Sequence, residues 1–162
     1  KNRSRLFYQM ANIEVSKHAG DNNWALLLDT DGYITEGTGD NFFIVKDEKI
    51  YTPEGRNILR GISRNYIFEL AKEKGIDCIE KNIEPYDVYD ADEAFMTGTP
   101  FCLLPTTSLN GVDIGEGKMG NISNQLLEAW SKNVGLDIKS QIIEYEKETS
   151  ILKDKGPSPY KF

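Results

Sequence analysis

From Trp24 to Thr52 the chain reads WALLLDTDGYITEGTGDNFFIVKDEKIYT, and this stretch decides the fold class. Trp24 to Leu28 is a short apolar run, Asp29-Thr30-Asp31-Gly32 is a turn, and Tyr33-Ile34-Thr35 resumes extended chain, so a hairpin is predicted. Phe42 to Val45, the turn Lys46-Asp47-Glu48-Lys49 and Ile50-Tyr51-Thr52 predict a second one. Upstream, Leu6, Met10 and Ile13, with Phe7 and Ala11 beside them, recur at helical spacing and predict a helix ending near Gly20. Downstream, a second helix is predicted after Gly61, with Ile67, Leu70 and Ala71 on one face and Gly75 as its stop. Cys78 to Ile83, Ala94 to Thr97, Leu103-Leu104 and Thr106 to Leu109 read as strands, and Asn110-Gly111 as a tight turn. Ser123, Leu126, Leu127, Trp130 and Val134 predict a third helix closed by Gly135. Hairpins mixed with helices give an α+β class with a mixed, largely antiparallel sheet.

Composition bounds what such a fold can do. At 162 residues the chain suits one domain and can bury a core, and its 39% hydrophobic and 28% charged residues fit a soluble globular protein. A net charge of −7 argues against a nucleic-acid partner, because phosphate contacts need clustered Lys and Arg. No apolar run approaches a membrane span and no signal peptide is visible, so a cytoplasmic protein is expected. Cys78 and Cys102 lack metal-ligand spacing and His18 is the sole histidine, so reduced thiols and no metal are expected. The tail from Glu144 is charged, and Gly156-Pro157-Ser158-Pro159 reads as coil or an arm. The expected division is therefore 1–143 and a tail over 144–162.

Four places concentrate polar groups with catalytic potential, and each has a plain structural reading. Lys1-Asn2-Arg3-Ser4-Arg5 is a basic helix entry, or a solvated terminus. Thr35-Glu36-Gly37-Thr38-Gly39-Asp40-Asn41 follows a strand and reads equally as a bulge or tight turn with Glu36 on the surface. Leu59-Arg60-Gly61-Ile62-Ser63-Arg64 opens a helix, where glycine and hydroxyl cap the helix or bind an anion at its N-terminus. Met96-Thr97-Gly98-Thr99-Pro100-Phe101 is a strand running into a turn.

Taken in order, these pieces resemble one family. A lysine opening a helix, Glu-Gly-x-Gly-x-Asn, Gly-Ile-Ser-Arg before a helix, and Ala-Asp-Glu-Ala-Phe leading into Thr-Gly-Thr occur between Lys1 and Thr99. Pro-Thr-Thr with an Asn-Gly turn and a Gly-x-Gly before the last helix complete the set. The chain resembles the fold-type IV pyridoxal-phosphate enzymes, which include branched-chain and D-amino-acid aminotransferases, amine transaminases and aminodeoxychorismate lyase. The resemblance implies that Lys1 is the Schiff-base lysine and that Glu36 pairs with the pyridine nitrogen, keeping the ring protonated. It implies phosphate ligands at Ile62, Ser63 and Thr99, and close approach of backbone to the ring at Gly37 and Gly39. The two positions after Thr99 help hold the substrate carboxylate in branched-chain enzymes, so Pro100 and Phe101 are substrate-binding candidates. Pro100 has no N–H and Phe101 is bulky, which points away from a plain branched-chain substrate. A tyrosine common one turn after the lysine is replaced by Leu6, with Arg5 adjacent.

The implied activity is transfer of an amino group from an amino acid or amine to a 2-oxo acid by a homodimer. Lys1 removes the proton from the nitrogen-bearing carbon while Glu36 faces the ring. A lyase of the aminodeoxychorismate type uses the same lysine, and a cofactor-free fragment retaining the fold is the non-enzyme alternative. Because the chain opens on Lys1, an N-terminal domain is expected upstream. Phe42, Ile44 and Trp24 to Leu28 are the residues expected to lose a cover in its absence, leaving the chain marginally stable or self-associated.

Overall fold

A computed structural model describes residues 4–20 and 22–153; Lys1 and the Gly156 to Pro159 segment lie outside the described residues. Helix α1 (Leu6–Val15) leads into two hairpins, β1 (Leu26–Leu28) with β2 (Ile34–Gly37), and β3 (Asn41–Lys46) with β4 (Lys49–Thr52). Then follow α2 (Ile62–Lys74), β5 (Cys78–Glu80), α3 (Pro85–Tyr89), β6 (Glu93–Gly98) and β7 (Cys102–Pro105). The small hairpin β8 (Ser108–Leu109) and β9 (Val112–Asp113), α4 (Asn121–Val134) and α5 (Ile138–Lys153) complete the described chain. The class is α+β, as the two hairpins predict.

Strand β3 is the axis of the sheet. One edge carries β6 antiparallel, with Asn41 opposite Thr97 and Val45 opposite Glu93. The other edge carries β4 beside Ile44 to Lys46 and β2 beside Asn41. Strand β5 joins β4 in parallel, with α2 as the crossover between them. Side chains alternate along β3, so both faces must be covered. Phe43 and Val45 point to the face packed by Ile67 and Leu70 of α2 and by Leu126 and Trp130 of α4, and Phe43 stacks on Phe95 at 4.9 Å. Phe42 and Ile44 point the other way, against Ile83, Val88 and Ile114.

That second cluster corrects one expectation. Phe42 and Ile44 are 3% and 2% exposed, because the segment after β5 folds back over them. The exposed apolar residues lie elsewhere: Trp24 and Leu28 as expected, together with Leu6, Met10 and Ile13 of α1. Helix α1 forms at the predicted spacing but ends at Val15, short of Gly20, and the stripe that gives the spacing faces solvent while the buried residue is Tyr8.

Two helices were not apparent from pattern. Extended chain stops at Glu80, short of Ile83, and α3 starts at Pro85, where the Asp87 carboxylate accepts from the Glu84 N–H at 2.8 Å. Helix α5 runs through the 143/144 boundary to Lys153, docked by Ile138 at its start. The Asn110-Gly111 turn is as predicted, with φ of 50° and 81° placing both residues in the left-handed region that a two-residue hairpin requires.

Candidate active site

Register builds the site. Glu36 of β2, Asn41 of β3 and Thr97 of β6 are consecutive cross-strand partners, so their side chains share a face at one end of the sheet. It is the face on which α2 packs, and the N-terminus of α2 therefore arrives beside Asn41. The fit there is close: a Cβ on Gly61 would lie 2.5 Å from Asn41 Oδ1.

Glu36 is 6% exposed, which excludes the surface reading of its motif. Among the described residues three donors hold its carboxylate. The Leu59 N–H donates to Oε2 at 2.7 Å, Asn41 Nδ2 donates to the same oxygen at 3.2 Å, and the Tyr8 hydroxyl donates to Oε1. Asn41 Nδ2 also donates to the Leu59 carbonyl at 2.8 Å, so the loop before α2 is clamped to the sheet through its main chain. A buried carboxylate is stable only with such compensation. Oε1 accepts from Tyr8 and keeps lone-pair capacity for a further donor. Burial first, then the bond to Glu36, pushes the Tyr8 phenol well above its ordinary range.

The turn between β2 and β3 adds a second carboxyl. Asp40 is buried and folds back over Gly37, where a Cβ would lie 2.3 Å from both Asp40 oxygens. Among the described residues Asp40 Oδ2 has no hydrogen-bond partner. Burial raises the carboxyl to about 6; the Gly39 N–H opposes that shift and the Glu36 charge adds to it. Thr97 Oγ1, on the Glu36 face, is likewise buried without a partner among the described residues. Next to them, a Cβ on Gly39 would meet nothing within 4 Å among the described residues.

The remaining predicted positions form the rim. Gly61 is the N-cap of α2, and no side chain among the described residues caps that helix. Ile62 is 87% exposed and Ser63 is half-buried in the first turn, which carries no acidic residue. The Ser63 hydroxyl therefore does not serve as a helix cap, and the first-turn N–H groups remain oriented for an anion. Arg64, from the same motif, is structural: it is buried, ion-paired to Glu80 at 2.5 Å and bonded to the Pro53 carbonyl at 3.1 Å. Thr99 and Pro100 are exposed in the β6–β7 turn, and the Phe101 N–H closes that turn on the Gly98 carbonyl at 3.3 Å. Phe101 is half-buried and meets Trp24 edge to face at 5.6 Å. This turn adjoins the Glu36 segment, because a Cβ on Gly98 would lie 3.5 Å from the Gly39 carbonyl. The Glu36, Ile62-Ser63 and Thr99 segments thus converge on one end of the sheet. Lys1 lies outside the described residues.

Sequence reading missed four contributors. Asn41 stood in the Glu-Gly-x-Gly-x-Asn motif without a role. Asp40 looked like a turn carboxylate, the Leu59 N–H belongs to the main chain, and Tyr8 sits off the apolar stripe of α1. Its position away from Leu6, Met10 and Ile13 was the available signal. Both cysteines are free thiols that burial pushes up, Cys78 to about 12, so neither is a ready nucleophile.

Comparison with known proteins gives a consistent result. Residues 1–109 match the family described as amino-transferase class IV. A branched-chain-amino-acid aminotransferase of Pseudomonas aeruginosa is 45% identical over 112 residues, covering 69% of this chain and 36% of that protein. A probable branched-chain-amino-acid aminotransferase of Aquifex aeolicus is 37% identical over 133 residues, covering 81% and 42%. The solved branched-chain amino acid aminotransferase of Escherichia coli superposes with a TM-score of 0.74 at 36% identity, over 78% of this chain and 42% of that one. The branched-chain aminotransferase of the thermophilic archaeon Thermoproteus uzoniensis, solved with norvaline, gives 0.72 at 32% identity, over 79% and 42%. The chain thus spans 36% to 42% of the length of these relatives. Since the family match runs through every segment that converges on Glu36, the chain belongs to the class IV aminotransferases.

Proposed function

We propose that the protein is a pyridoxal-phosphate-dependent aminotransferase, moving an amino group from an amino acid or amine to a 2-oxo acid. The observation that carries this reading is Glu36, a buried carboxylate held, among the described residues, by three donors at the sheet end where no described side chain caps α2. Such a pair of features suits a flat cationic ring with a phosphate at its far side. Among the described residues nothing lies within 4 Å of a Cβ on Gly39, which is compatible with a ring approaching the backbone there.

In this reading Glu36 pairs with the ring nitrogen, and the Ile62 and Ser63 N–H groups with the Ser63 hydroxyl hold the phosphate at the positive end of α2. Thr99 supplies a second phosphate ligand from the β6–β7 turn. Lys1 would hold the cofactor through its ε-amine, and that amine, when free, would take the proton from the nitrogen-bearing carbon of the substrate and deliver it to the cofactor side, as amino transfer requires. When bound, the cofactor supplies an electron sink whose strength depends on the ring nitrogen staying protonated. Glu36 serves that state, and its clamp to Asn41 and Leu59 fixes the carboxylate before substrate arrives. Pro100 and Phe101 border the substrate. The missing Pro100 N–H and the Phe101–Trp24 contact favour a donor other than a plain branched-chain amino acid. The reading extends to a homodimer, as the family resemblance implies, and to a cytoplasmic location, as expected from the composition.

Glu36→Gln tests it. The variant should keep its cofactor, while turnover of amino donor with 2-oxo acid falls by roughly two to three orders of magnitude. Near-normal turnover would remove Glu36 from the chemistry.

A further inference from the structure

Glu36 has an unexpected neighbour in Tyr8. The two residues are 28 positions apart, on α1 and on β2, and the phenol O–H donates to Glu36 Oε1. The other carboxylate oxygen is already served by Asn41 and the Leu59 N–H, so Tyr8 alone among the described donors fixes Oε1. Tyr8 is also the buried residue of α1, whose Leu6, Met10 and Ile13 are all more than half exposed. One contact therefore does two things: it orients the carboxylate, and it ties α1 to the strand that carries Glu36.

We infer that Tyr8 is a positioning residue for the reaction, holding Glu36 Oε1 in place and registering α1, the helix that Lys1 precedes, against the sheet. The inference rests on the reading of Glu36 as partner of the ring nitrogen. Lys1 and Glu36 address different atoms of one rigid ring, so their separation must be held. A hydrogen bond between their two elements holds it without touching the substrate. The phenol, pushed above its ordinary range by burial and by Glu36, stays a donor across the working pH range.

The test uses the full-length protein and the variants Tyr8→Phe, Glu36→Gln and their combination. Phe keeps the ring, including its packing against Phe7 at 4.1 Å between centroids, and removes only the hydroxyl. In cofactor-free protein labelled at tyrosine Cζ, the carbon signal that disappears in Tyr8→Phe should move in Glu36→Gln. In the holoenzyme Tyr8→Phe should lower kcat by roughly tenfold with KM for both substrates unchanged. Added to Glu36→Gln, it should lower kcat by less than about twofold, because a group acting through Glu36 has nothing left to act through. A Tyr8 signal indifferent to Glu36→Gln, or an equal loss in both backgrounds, overturns the inference. Loss in Glu36→Gln without loss in Tyr8→Phe removes the role of Tyr8 alone. Normal turnover in Glu36→Gln removes the ring-nitrogen reading and this inference with it.

Discussion

Asp40→Asn should make the protein more stable at neutral pH and leave it unchanged in acid. The Asp40 carboxyl is 8% exposed, its Oδ2 is without a partner among the described residues, and the Glu36 carboxylate is close enough to act on it. Burial, with that charge, raises it from its ordinary 3.8 to about 6 despite the Gly39 N–H. Below pH 3.8 the group is protonated in both folded and unfolded chains and contributes no difference. As pH rises, the unfolded chain loses its proton first, so stability falls through the window up to about 6 and stays lowered above it. The distance between the two values corresponds to about 3 kcal/mol, an upper figure because the folded protein can relax around the charge. Asparagine keeps the shape and the acceptor for Gly39 and removes the charge. Urea unfolding followed by tryptophan fluorescence, at pH 7.5 and pH 3.5, brackets the Asp40 titration, because groups that do not feel its charge titrate alike in both proteins and cancel. A gain of about 2–3 kcal/mol at pH 7.5 that vanishes at pH 3.5 is expected. No gain at pH 7.5, or a gain that persists in acid, would refute the reasoning.

Other perturbations probe the frame and the rim. Glu93 is buried and accepts from the Ile122 N–H, the Ser123 N–H and the Ser123 hydroxyl at 2.8, 2.8 and 2.7 Å. Glu93→Ala orphans all three donors and should cost about 3 kcal/mol or more in urea unfolding. Gly120→Ala should be at least as damaging, since its Cβ would lie 2.0 Å from Glu93 Cδ. Ser63→Ala should weaken cofactor binding by roughly tenfold in equilibrium titration with turnover at saturation nearly unchanged, because it removes a phosphate ligand remote from the reacting carbon. Gly61→Ala should lower both binding and turnover, since its Cβ would displace the Asn41 side chain that donates to Glu36.

The parts legible in the sequence are those whose signals are local. The apolar run Phe42 to Val45 and the turn over Lys46 to Lys49 placed the central hairpin, and glycine stops placed the ends of α2 and α4. Helix α3 was hidden because five residues are too few for a helical period to show, and α5 because its described start is docked mainly by Ile138. In the site, Glu36 and the opening of α2 were legible as motifs. The burial of Glu36 was not, because it depends on strand pairing that sets Asn41 opposite it and on a loop 23 residues away. Tyr8 illustrates the general reason. Apolar spacing marks a helix, but it names the buried face only when that face meets the core, and in α1 the buried residue is Tyr8, bonded to Glu36. Glu93 is the same case in the frame: a carboxylate within an Ala-Asp-Glu-Ala-Phe motif acquires its role from an α4 terminus some 30 residues on.

The most direct test of the account is covalent. Borohydride reduction of the full-length protein with pyridoxal phosphate, followed by peptide mass spectrometry, should place the pyridoxyl group on the ε-amine of Lys1. Glu36→Gln should be labelled at the same residue, since it alters the ring nitrogen's partner and leaves the amine intact. A label on another lysine, such as Lys118, or none at all, would contradict the account.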